Sequence, residues 1–143
     1  MRDKIYYYRC LLIFFVILFV VMLCIFPYLV QKEVEKKEFM FAQDAVSRAI
    51  TSLEDYNISK EQYMLDDAIT ELYVFQIFLA SLRGEHELFV YHTVVSELRN
   101  QLSNKSEQML VNDDLANALI AIRDDTTSTE GYNLLELVVS KNR

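Results

Sequence analysis

The chain opens on an unbroken apolar run and then turns to amphipathic segments. From Cys10 to Val30 it reads CLLIFFVILFVVMLCIFPYLV, 21 residues without a charge. A helix of that length extends about 31 Å, which matches a hydrocarbon core of ~30 Å. Tyr6, Tyr7, Tyr8 and Arg9 flank one end and Tyr28 and Lys32 the other, as aromatic and basic side chains do at a membrane–water boundary. Pro27 falls in the last turn of the run, where a bend costs little. The pattern predicts a short basic and aromatic tail over 1–9 and one transmembrane helix over 10–30. A cleaved signal sequence is the alternative. It needs an apolar region of only ~7–15 residues followed by small residues, whereas Phe26, Pro27 and Tyr28 are bulky.

Beyond the run, apolar positions recur at helical spacing. Phe39, Ala42, Ala45, Val46, Ala49, Ile50 and Leu53 share one face, so a helix over 31–56 continues out of the span and ends near Tyr56 and Asn57. Ser59 with Gln62 reads as a capping box opening a second helix, about 60–82. Leu65, Ala68, Ile69 and Leu72 form the stripe of its first half, while Tyr73 to Leu82 is apolar nearly all round. Such a helix is central to its bundle or turns one side to another chain. Arg83, Gly84 and Glu85 break it. A third helix from His86 to Leu102 carries Leu88, Tyr91, Val95, Leu98 and Leu102. A fourth, about 106–123, carries Val111, Leu115, Ala118, Leu119 and Ile122. After the loop 124–129, Thr127 and Glu130 signal a last helix, about 130–141, with Leu134, Leu137 and Val138 inward. The expected architecture is all-α: one N-terminal transmembrane helix followed by a small antiparallel bundle of four to five helices over 31–143.

Composition narrows this further. Two Gly and one Pro in 143 residues argue against an all-β fold, which needs turn residues. Arg2, Lys4 and Arg9 against Asp3 give residues 1–30 a net +2, so the total of −7 leaves −9 on the rest. A domain that acidic excludes nucleic acid as a partner. The basic residues near the two ends of the span number three each, so they leave the orientation tied. A short basic tail ahead of a long apolar run favours an N-terminus in the cytoplasm and a domain outside a cell membrane.

Candidate chemistry is sparse. Both cysteines, Cys10 and Cys24, lie in the apolar run, too far apart on one helix to pair. His86 and His92 are six residues apart, not the three or four that place two ligands on one helix face. His92 reads as a boundary side chain. The pairs Asp66–Asp67 and Asp113–Asp114 diverge by about 100° on a helix, and Asp124–Asp125 lacks the ligand pattern of a calcium loop. No catalytic, cofactor or metal residue is therefore expected. Two Asn-x-Ser sequons begin at Asn57 and Asn104.

Leu79 to Leu102, LASLRGEHELFVYHTVVSELRNQL, joins an apolar helix end, a short polar break with His86 and an amphipathic helix. Asn133, Leu134 and Leu135 lie near the end of the chain. With the single span and a helical domain of about 110 residues, these features resemble small uncharacterised single-span membrane proteins of Gram-positive bacteria. The resemblance covers most of the chain. The tryptophan expected in the second helix is absent, since the chain has none. The resemblance implies an architecture and no activity.

Two functional readings follow. One is a membrane-anchored interaction module or accessory subunit of an envelope complex, not an enzyme, resting in the lipid bilayer and meeting a protein partner or itself through Val74, Phe75, Ile77 and Phe78. The other is an extracytoplasmic ligand- or signal-sensing domain acting through a partner.

Overall fold

The computed structural model describes residues 2–82, 87–104 and 113–142. Among them every regular element is helical: α1 (Arg2–Ser59), α2 (Gln62–Ser81), a 3-10 turn (Glu87–Tyr91), α3 (His92–Asn104), α4 (Asp113–Asp124) and α5 (Thr129–Lys141). The chain divides into two compact units, Met1–Lys37 and Glu38–Arg143.

In the first unit the large apolar side chains from Leu11 to Val30 are all exposed. Among the described residues one helix is long and apolar enough to cross a membrane, and none of its most apolar window is buried by the protein. In water such a surface is costly, about 25 cal/mol for each Å² of it.

The second unit has one continuous core. The part of α1 within it contributes Ala42, Ala45, Val46, Ala49, Ile50, Leu53 and Tyr56, with Phe39 packed at the edge, which is the stripe read from the sequence extended by one turn. α1 runs on to Ser59, past its expected end. Lys60 then takes the left-handed conformation (φ 60°), and its N–H reaches the Tyr56 carbonyl at 2.8 Å. This closure keeps Ser59 helical, so the expected capping box does not form. The Ser59 hydroxyl donates back to the Asp55 carbonyl and accepts from the Glu61 N–H, and α2 starts after Glu61 with no side-chain cap.

α2 packs on α3 and on the 3-10 turn, α4 packs on α5, and α3 also meets α5. The expected third helix starts later as an α-helix. Its first residues form the 3-10 turn, and at the switch the Thr93 hydroxyl donates to the Val90 carbonyl. Leu115, Ala118, Leu119 and Ile122 of α4 are buried as expected, whereas Val111 lies outside the described residues. α5 is capped by Ser128, which accepts from the Glu130 N–H, rather than by Thr127. Its inward face is Gly131, Tyr132, Leu135, Val138 and Val139. Leu134 and Leu137, expected inside, are exposed. The helix is apolar enough for two faces to compete, and Tyr132 decides between them by filling the centre of the core.

Aromatic rings tie the elements together. Phe39 of α1 meets Phe78 of α2 edge-on at 5.1 Å. Phe78 stacks on Phe75, Phe75 on Tyr132 of α5, and Tyr132 on Tyr91 of the 3-10 turn. Pairs of this kind each contribute about 1 kcal/mol beyond the area they bury.

Candidate functional site

The stretch of α2 that is apolar on every side is the feature the sequence left open, and the fold divides it. Phe75 is fully buried and Phe78 9% exposed, while Val74 and Ile77 are 44% and 51% exposed. The four residues expected to form one interface therefore belong to two faces. Phe75 and Phe78 are committed to the core; Val74 and Ile77 look outward. The reason is geometric: residues one apart on a helix diverge by roughly 100°, so 74 and 77 share a face and 75 and 78 share another.

The outward face continues along the helix. At 100° per residue Tyr63, Asp66, Asp67, Thr70, Val74, Ile77 and Ser81 lie within roughly 60° of one line, and all stand open to water without a core role, the Ser81 hydroxyl donating to the Phe78 carbonyl. Tyr73 sits at the edge beside α3 and is 48% exposed. The Arg99 guanidinium of α3 lies 4.4 Å from its ring centre, and Arg99 Nη1 donates to Gln76 Oε1 at 2.5 Å. This cation–π contact and the hydrogen bond fix α3 against α2.

On the opposite edge α1 and α2 enclose a shallow, open hollow of about 390 Å³ lined by Arg48, Thr51, Ser52, Asp67, Thr70 and Glu71. Arg48 Nε and Glu71 Oε1 are 2.9 Å apart across it. The hydrogen bond to Glu71 pushes the Arg48 guanidinium pKa upward, outweighing the opposing effect of desolvation. With Arg48 57% exposed, this pair adds little stability. It does place a paired cation and carboxylate in the hollow, where both can take part in hydrogen bonding.

The other candidates resolve individually. His92 is half-buried, its Nδ1 2.7 Å from the Phe89 carbonyl. A carbonyl can only accept, so Nδ1 carries the proton. His86 lies outside the described residues. Asp114 meets Lys141 at 3.2 Å on the surface, and Asp124 pairs with Arg123. Asp125 is a loop-former: its Oδ1 accepts from the Thr127 hydroxyl, the Thr127 N–H and the Ser128 N–H. The Thr127 hydroxyl bond is the largest cause of a carboxyl pKa held below its usual value. Among the described residues no group of three or more His, Cys, Asp or Glu is placed to hold a metal ion. Sequence reasoning missed Tyr132 and Arg99. A lone buried tyrosine gives no periodic signal beyond its helix, and the Arg99–Tyr73 contact joins residues of two helices.

No protein-family model matches the chain, and no curated protein or solved structure matches it.

Proposed function

We propose that the protein is a single-pass membrane protein whose helical domain serves as a protein-interaction module, an accessory subunit of a membrane or envelope complex without catalytic activity of its own. In this reading residues 10–30 span a cell membrane, the N-terminus is cytoplasmic, and an antiparallel bundle stands outside. The observation that carries it is the outward pair Val74 and Ile77, apolar and half exposed on a helix whose other face is fully packed. The exposed apolar surface of residues 11–30 supports the span, because lipid covers it without cost.

Lysine-reactive cross-linking in intact native membranes tests the reading. Lys32, Lys36, Lys37, Lys60 and Lys141 supply handles along the chain. Reproducible links to one distinct membrane protein support an accessory subunit, and links to nothing overturn it. A ligand-sensing domain is the second reading, and the hollow between α1 and α2 favours it. Its signature is a rise in melting temperature with a small polar ligand.

A further inference from the structure

We infer that the outer stripe of α2 docks a basic amphipathic segment of a partner protein. This inference rests on the interaction-module reading and names the chemistry of the partner. The stripe has two ends of different character. Val74 and Ile77, with Tyr73 beside them, form an apolar patch at the C-terminal half. Asp66 and Asp67 stand exposed two turns earlier on the same line. α2 contains three acidic residues, Asp66, Asp67 and Glu71, and no Lys or Arg. Arg48 from α1 offsets Glu71, and Arg99 from α3 lies on Tyr73 and Gln76. Among the described residues Asp66 is met by the Gln62 amide, and no hydrogen bond or ion pair joins Asp66 or Asp67 to a cation.

This order of apolar and acidic positions selects among occupants. A second copy is disfavoured by geometry. Two α2 helices paired in parallel set Asp66 and Asp67 against their own counterparts. Paired antiparallel, they set those carboxylates against Val74 and Ile77, where burying an unpaired charge is costly. An anionic lipid surface is repelled by residues 31–143, which carry −9. A helix with apolar residues over Val74 and Ile77, and Lys or Arg about two turns away over Asp66 and Asp67, satisfies both ends at once. Its cations also steer it toward an acidic domain. Anchoring both partners in one membrane raises their effective concentration, so that a modest interface suffices.

Photo-cross-linking from position 74 or 77 of the full-length protein in its native membrane tests this. The expected product joins the stripe to a segment of another protein that has Lys or Arg within two to three helical turns of apolar residues. Its yield falls about tenfold, as for lost rim charges, when Asp66→Lys and Asp67→Lys are combined, and it also falls with rising salt. The helical circular dichroism of that variant stays unchanged, because both sites are exposed. Links to a second copy, or to a segment without basic residues, overturn the inference, as does a yield indifferent to the charge reversal. Absence of links from 74 and 77 while lysine cross-linking still captures a partner overturns this face and leaves the module reading standing. Absence in both experiments overturns both.

Discussion

Tyr91 and Tyr132 stack nearly face to face, with ring centroids 4.9 Å apart and planes 18° apart, yet their hydroxyls serve different elements. Tyr91 donates to Asn133 Oδ1 at 2.6 Å, and Tyr132 donates to the Thr126 carbonyl at 3.0 Å. The stack joins the 3-10 turn to α5 and, through Phe75, to α2. Burial pushes both phenol pKa values upward, that of Tyr132 far above its usual value. The Tyr132 phenol therefore stays a neutral donor throughout the physiological range.

Tyr132→Phe keeps the ring in the stack and removes that donor, stranding a carbonyl of buried Thr126. The expected loss is about 1–2 kcal/mol of stability. Tyr91→Phe, whose bond is exposed, costs about 0.5 kcal/mol. Denaturant unfolding of the detergent-solubilised protein reads both, and equal losses would show that the buried bond carries no special weight.

Gly131→Ala reverses the usual sign of a helix substitution. Alanine in an open helix position gains about 1 kcal/mol over glycine. At 131 a Cβ would lie 2.7 Å from the Ile122 backbone nitrogen and 2.8 Å from its Cγ1, so α4 and α5 must move apart. A net loss of about 1–3 kcal/mol is expected, and any rise in melting temperature rejects the close approach of these helices.

Neighbouring residues on α2 should respond in opposite ways to the same charge. Phe78→Asp places a carboxylate in the aromatic row and is expected to unfold the domain, at a cost of more than about 4 kcal/mol. Ile77→Asp, on the outward face, is expected to change stability by no more than about 0.5 kcal/mol while weakening capture of the partner. Circular dichroism and co-purification separate the two effects.

Asp125 ties part of the stability to acid. Its carboxyl pKa is depressed in the fold, chiefly by the Thr127 hydroxyl. Its contribution is therefore fully present above the unfolded value of about 3.9 and is lost as pH falls through the lower folded value. Asp125→Ala should melt earlier than the parent protein at neutral pH, with the gap closing below about pH 4. Melting curves that stay parallel from pH 7 to 2 would count against this role for the loop.

The core of the second unit was largely legible as periodicity. Among the described residues, the stripes of α1, the first half of α2, the 3-10 turn with α3, and α4 named residues that are buried or, at Phe39, Ile69 and Tyr91, partly buried, because each of these segments has one apolar face and one polar face. Legibility failed where both faces are apolar, at Leu134 and Leu137 of α5 and at Val74 through Phe78 of α2. It also failed at Ser59 and Thr127, where a capping pattern was present but the backbone of a neighbouring residue decided which hydroxyl acts.

By itself the sequence determined that the chain is helical, that its first third carries a 21-residue uncharged run, and which side of most amphipathic helices faces in. These follow from local periodicity and from length, which need no knowledge of distant residues. Only the tertiary structure decided that Phe75 and Phe78 belong to the core while Val74 and Ile77 do not, that Tyr132 fills the centre, and that Gly131 lets α4 meet α5. Those outcomes depend on shape matching between helices far apart in the chain, and hydrophobicity alone does not distinguish one apolar face from another.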